Sequence, residues 1–394
     1  MKDDNAKRLR ANRVWLSEDG ADLETFRALV ERKVNRSDYP FASDVVSNEL
    51  IYDGDAVRSA AASPEGRREI MAEWVEAMAD GPGVIVFRRA FADLEPIEAA
   101  NAHFWAMIEE QHRSNAGGGD HFARPGANDR VWNALEKLCL ADPADFAAYY
   151  GNAVIALISE AWLGPRYHIT SQLNVVNPGG EAQVPHRDYH MGFQTAREIE
   201  RFPAHAHRLS PMLTLQGAVA HCDMPLESGP TLYLPFSQGY LPGYLAASRP
   251  EFRAYFEAHK IQLPLAAGDA VFFNPALFHA AGTNRSASIK RIANLLQVSS
   301  AYGGAMESVD RLKMSLALYP ALQKLVADGA ITAEAADNAI AASAEGYAFP
   351  TNLDRDPPVG GIEPAGADAP GAGGELDAGG FAKAADAQAW RKLT

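Results

Sequence analysis

Cysteine is scarce in this chain: Cys139 and Cys222 are the only two thiols among 394 residues. Two thiols cannot build a disulfide framework, so a reducing, cytoplasmic setting is the expectation. Basic charge is short as well, with 36 Lys and Arg against 50 Asp and Glu and a formal net charge of −14. That deficit argues against a nucleic-acid surface, which needs a basic footprint, while leaving scope for one or two arginines that hold a small anion. No apolar run reaches the roughly 18 residues that mark a bilayer span. The opening MKDDNAKRLRANRVW is charged from its second residue, unlike an apolar leader. What remains is a soluble chain, large enough for one big core or two domains, with no role for nucleic acid or membrane and no bar to a homo-oligomer.

What is present changes character along the chain. Residues 1–80 read as a helical and irregular N-terminal extension: apolar residues recur at helical spacing over Leu23–Val34 and Arg67–Met78, and YPFASDVVSNELIYDGDAV between them reads as irregular chain. Asp80-Gly81-Pro82-Gly83 then punctuates the pattern, and Val84–Phe87 reads as a buried strand. A helix is expected after Asp93, and another from Asp142 as N-cap, with Pro143 at its first position, to about Glu160. From Tyr167 the runs YHITSQLNVV, LTLQGAVAH, TLYLPF, IQLPL, AVFFN and RIANLLQVS are short and broken by turn residues. Short strands with such punctuation suggest an antiparallel sandwich or barrel, here bounded at 81–307. Two helices follow in 308–345, the first bent or ended by Pro320. A Gly/Pro-rich tail over 346–394 lacks the material for a core, with one short helix near Trp390.

The chemistry concentrates in NPGGEAQVPHRDYHMGF, residues 177–193. His186 and Asp188 are two apart, and alternate side chains of an extended strand share a face, so an imidazole and a carboxylate can close on one ion. His279, in GDAVFFNPALFHAAGTNRS, is the candidate third ligand. Two histidines and a carboxylate on one side of a metal suit non-haem Fe(II) oxygenases, although zinc accepts the same donors. His221-Cys222-Asp223 is a competing H-x-D, but it ends an apolar strand, whereas His186 follows a Gly-rich turn and Pro185. His190 reads as a supporting group or a cavity lining, His205 and His207 as surface-loop residues, and His121 with Arg124 as part of a lid.

An iron site that activates O₂ needs two further electrons, which a 2-oxo acid can supply by losing CO₂. The far carboxylate of such an acid calls for a guanidinium fork. Arg291, at the start of RIANLLQVS, is the candidate, with Lys290 pointing the other way. Gln172 and Asn174 alternate on the strand before the H-x-D turn and could bond the oxo acid, with Gln216 and Gln297 as weaker candidates of the same kind.

The order GVIVFRRAF, NPGGEAQVPHRDYH, LESGPTLYLPFSQ and GDAVFFNPALFHAAGTNRSASIKR resembles the phytanoyl-CoA dioxygenase family of Fe(II)/2-oxoglutarate oxygenases, over about Gly81–Ser300. The resemblance implies a mainly β core, a double-stranded β-helix of jelly-roll or cupin-like form, flanked by the helical N-terminal region and C-terminal helices. It implies Fe(II) on His186, Asp188 and His279, and 2-oxoglutarate with its 5-carboxylate on an arginine in the Arg291 region. It implies hydroxylation of a C–H bond of a small molecule, with O₂ consumed and succinate and CO₂ released. Gln238 stands where the family often has histidine. The competing readings are a cupin-like metalloenzyme that does not use 2-oxoglutarate and a non-catalytic barrel serving as a binding or scaffold module.

Overall fold

A computed structural model describes residues 10–114, 126–347, 354–355 and 378–393. His121, Arg124 and most of the Gly/Pro-rich tail lie outside them. Ten strands are β1 (Asp44–Val46), β2 (Glu49–Asp53), β3 (Val84–Arg88), β4 (Asn128–Val131), β5 (Tyr167–Val176), β6 (Thr214–Ala220), β7 (Leu232–Leu234), β8 (Ala270–Phe273), β9 (Phe278–Ala280) and β10 (Arg291–Ser300). Eight form one sheet in the order β1-β2-β3-β8-β6-β10-β5-β4, and β7 and β9 pair separately. The long strand β10 lies antiparallel between β5 and β6, with Ala293 opposite both Asn174 and Ala220.

Alternation along β10 assigns the two faces of the large sheet. Ile292, Leu296 and Val298 join Ile169, Leu173, Leu215 and Phe272 on one face. Helices cover that face through Ile70 and Trp74 of Pro64–Ala79, Phe104 of Glu95–Ser114, Phe146 of Pro143–Tyr150 and Met314 of Arg311–Ala327. Each large apolar side chain buried there contributes about 1.5–3 kcal/mol. On the other face Ala293 and Leu295 stand with Val84, Val86, Ala218 and Val271, packed against Tyr233 and Leu277 from the β7–β9 side.

Local signals set the helix ends. Ser63 accepts a hydrogen bond from Gly66 N–H and Pro64 occupies the first helical position. Asp142 caps Pro143–Tyr150 as expected, but the segment to Glu160 is two helices. The chain breaks at Gly151, and Asn152 caps Ala153–Leu163 through Val154 and Ile155 N–H. Pro320 is accommodated inside Arg311–Ala327 rather than ending it. Among the described residues no helix is long and apolar enough to cross a membrane.

The mainly β, jelly-roll expectation is overturned. The chain is ~48% helix and 18% strand, and its strands form two open sheets. Helix replaces expected irregular or extended chain at Gly54–Ala61 and Ala204–Met212. Proline supplies the reason on the strand side, since it brings no N–H to a ladder. Around Pro185, Pro225 and Pro264 the chain makes only isolated bridges: His186 to His279, Met224 to Leu265 and Ile261 to Tyr233. IQLPL is therefore not a strand, and the second sheet stays at two. In the opposite direction, Asp44–Asp53 is not irregular. It supplies β1 and β2, and β2 runs parallel to β3 with Ile51 opposite Val86.

Candidate functional site

His279 is the middle residue of β9, opposite Tyr233 of β7. His186 is laid beside it by a reciprocal pair of backbone bonds, His186 N–H to His279 C=O at 3.0 Å and the reverse at 3.2 Å. Asp188 N–H donates to Pro275 C=O at 3.1 Å, holding the third residue to the same loop. Their ligand atoms converge. His186 Nε2 lies 3.5 Å from Asp188 Oδ1, and His279 Nε2 lies 3.4 Å from Asp188 Oδ2.

The tautomers follow from the other ring nitrogens. His186 Nδ1 is 2.8 Å from Val184 C=O, and His279 Nδ1 is 2.8 Å from Leu277 C=O. A carbonyl only accepts, so both Nδ1 atoms carry a proton, and each ring turns its Nε2 towards the Asp188 carboxylate. With Nδ1 committed to a carbonyl, Nε2 is the ring atom each histidine has left to offer a cation beside the carboxylate. Donors at right angles and about 2.1 Å from an ion stand roughly 3 Å apart, close to the observed separations. Nδ1 bonds to backbone carbonyls are also the usual support of metal-bound imidazoles.

Asp188 is held from behind. Gln216, on β6, donates Nε2–H to Asp188 Oδ2 and lies 3.5 Å from Gln297 Oε1 on β10. Burial resists ionisation of Asp188, but the hydrogen bond and charge of His279, with His186 and Gln216, hold its carboxyl well below the usual range. Between the two ligand candidates, Arg187 points the other way. It is 3% exposed, and its Nη2 donates to Ser237 C=O and Tyr240 C=O, at 2.5 and 2.9 Å. Its guanidinium lies 5.2 Å from the rings of Tyr244 and Phe278. Gly243 is required beside it: a Cβ there would sit 1.9 Å from Arg187 Cζ.

The β10 face also lines a small cavity of about 40 Å³, open at its mouth, which His186, Asp188 and His279 do not themselves line. Glu49, Asn174, Thr231, Tyr233 and Arg291 are its polar lining. Arg291 is buried, and its Nη1 has only long contacts to Ser228 C=O at 3.5 Å and Gly282 C=O at 3.4 Å. Burial pushes its pKa down to about 10, with Cys222 and Tyr233 partly restoring it. No carboxylate among the described residues pairs with it, so the donor set fits an incoming anion. Asn174 Oδ1 faces the cavity without a partner, whereas Gln172 accepts from Arg130 Nη1 at 3.3 Å. Lys290 lies over the Trp105 ring instead.

The second H-x-D is spoken for. His221 Nε2 bonds the Tyr149 hydroxyl and Nδ1 bonds Asn101 Oδ1, each at 2.7 Å, and burial depresses its pKa to about 3. Asp223 accepts from Ala267 N–H. His190 meets Ser210 Oγ at 2.8 Å, in a backbone turn where Tyr189 and His190 both have positive φ. His207 is buried on the helix Ala204–Met212, not on a surface loop. Glu49 and the holding role of Arg187 escaped sequence reading. The only trace of Glu49 was a charge heading the otherwise apolar run ELIY.

A family profile described as "Phytanoyl-CoA dioxygenase (PhyH)" matches residues 67–292. No curated protein matched the chain. Among solved structures, the non-heme alpha ketoglutarate dependent epimerase SnoN from nogalamycin biosynthesis is 19% identical, with 61% of this chain and 85% of that chain covered and a TM-score of 0.40. The alpha ketoglutarate dependent carbocyclase SnoK from the same biosynthesis is also 19% identical, covering 60% and 86%, at a TM-score of 0.43. AviO1 from Streptomyces viridochromogenes Tue57 is 16% identical, covering 60% and 97%, at 0.43.

Proposed function

Because the chain belongs to the phytanoyl-CoA dioxygenase family, whose profile matches more than half of it, we propose that it hydroxylates a C–H bond of a small molecule in an Fe(II)- and 2-oxoglutarate-dependent reaction. The observation that carries the reading is the pair of Nδ1-protonated imidazoles aiming Nε2 at one carboxylate. His186, Asp188 and His279 would hold the metal, and Arg291 would pair with the far carboxylate of 2-oxoglutarate. When bound, iron and 2-oxoglutarate supply the oxidising power, with O₂ consumed and succinate and CO₂ released.

The chain's own groups do the rest. Val184 and Leu277 carbonyls keep both imidazoles in the ligating tautomer. Gln216 restrains one Asp188 oxygen and so sets how the carboxylate is presented. Ala218, Val271, Ala293 and Leu295 form an apolar wall along the cavity, which strengthens the attraction between Arg291 and an anion. Asp188 also bears on the outcome. Halogenases related to this family have Gly or Ala at that position, leaving a place for chloride, so a carboxylate here favours hydroxylation.

The test is succinate release from 2-oxoglutarate under air with Fe(II), followed by a screen for small molecules that raise it above the uncoupled rate. Wild-type protein should turn over 2-oxoglutarate, and His186→Ala should not. Metal-dependent chemistry with no consumption of 2-oxoglutarate would refute the proposal in favour of a cupin-like enzyme.

A further inference from the structure

Glu49 is the anomaly of the cavity. It heads β2, ahead of the region matched by the family profile, and is 0% exposed. Neither carboxyl oxygen has a hydrogen-bond partner among the described residues, and the side chain lines the same cavity as Arg291. A buried polar group left unbonded costs on the order of 1–3 kcal/mol, so its persistence in the wall of a cavity that Arg291 also lines points to a partner that arrives with a ligand.

The surroundings decide in which form it waits. Tyr233 faces it from β7, and Arg291 reaches the same cavity from β10. Arg88 of β3 attracts it, but Arg88 is already ion-paired with Asp269 at 2.6 Å. From β6 and β8 come only Ala218, Ala220 and Val271, and from the loops Met224, Pro230, Thr231, Leu263 and Leu265, none of which carries a charge. Burial accordingly pushes the Glu49 carboxyl up to about 8, with Arg88 offsetting part of the effect. An ionised Glu49 would repel a dicarboxylate entering beside it, whereas a carboxylic acid can donate its proton to one.

Resting on the 2-oxoglutarate reading above, we propose that Glu49 is a ligand-binding carboxylic acid. Its O–H donates to the carboxylate of 2-oxoglutarate that Arg291 also holds, so the co-substrate binds only to the protonated cavity. Where Glu49 is ionised beforehand, binding takes one proton from the buffer.

The experiment is anaerobic calorimetric titration of the Fe(II)-loaded protein with 2-oxoglutarate at pH 7 and pH 9, in buffers of different ionisation enthalpy. Wild type should bind about tenfold more weakly at pH 9 than at pH 7 and take up close to one proton at the higher pH. Glu49→Gln, which keeps an N–H donor, should bind within a few-fold of wild type at pH 7, lose the pH dependence and take up no proton. Should that variant not fold, Glu49→Leu suits the apolar wall and should be equally flat with pH, though weaker at pH 7. Equal wild-type affinity at the two pH values, or proton uptake that survives removal of Glu49, overturns the role of Glu49 alone. Absence of 2-oxoglutarate binding at both pH values overturns the co-substrate reading, and this inference with it.

Discussion

Replacing Glu49 by glutamine in the unliganded protein should change how stability depends on pH, and the size of the change follows from burial. In the fold the carboxyl pKa is raised from 4.5 to about 8, by desolvation first and against a smaller pull from Arg88. A pKa raised by folding means that the native state holds a proton the unfolded chain has released. The contribution is therefore whole below pH 4.5 and is lost as pH rises through 8. At about 1.36 kcal/mol per pH unit, the loss between pH 5 and pH 9 is about 4 kcal/mol. Glutamine has nearly the same shape, stays neutral throughout and escapes that loss. Urea unfolding of both proteins at pH 5, 6, 7, 8 and 9 gives the difference directly, with other titrating groups cancelling in the comparison. The variant should gain on wild type steadily from pH 5 and level off above pH 8. A difference constant to within 1 kcal/mol across the series would mean that Glu49 is ionised in the native state, and would refute the reasoning.

Three further outcomes are expected. Asp188→Ala and His186→Ala should each lose most Fe(II) affinity, measured by anaerobic titration, while far-ultraviolet circular dichroism stays that of the wild type. Gln216→Leu removes the hydrogen bond behind Asp188 and should weaken iron binding by about 10–100-fold, the usual effect of losing a group that orients a ligand; unchanged affinity would deny Gln216 that task. Gly243→Ala drives the Arg187 guanidinium off its carbonyl partners, at about 1.5–3 kcal/mol for each charge-assisted bond lost. In an Arg187→Met background the same alanine should be nearly neutral, and a double-mutant cycle in urea checks the coupling.

Much of the molecule is readable from local pattern. Strands β3, β5, β6, β8 and β10 announce themselves by apolar runs and alternation, and the Asp142 cap by its own chemistry. His186, Asp188 and His279 meet because a two-residue spacing and a short strand are both local facts, joined by a bridge at the two histidines. What escapes is set by distant partners. β2 becomes a strand because β3 pairs with it, and nothing within ELIYD states that pairing. The IQLPL run has strand composition, but its proline and its single-bridge contacts keep it out of a ladder. His207 has the alternation of a strand, yet it is buried on a helix. Glu49 lies in a stretch that reads as irregular chain, and its burial beside β3 and β7 is not written there.

The bridges around the histidines have a mechanical consequence. The metal-side residues belong to the β7–β9 ladder and its loop, the anion-side residues to the eight-stranded sheet, and side chains such as Gln216 reaching Asp188 cross the gap. Occupancy of the centre would clamp the one against the other, so the smaller ladder borrows rigidity from its cargo. Amides of Tyr233 and His279 should then exchange with deuterium far sooner in the empty protein than those in the middle of β10, and saturation with ligand should close that gap.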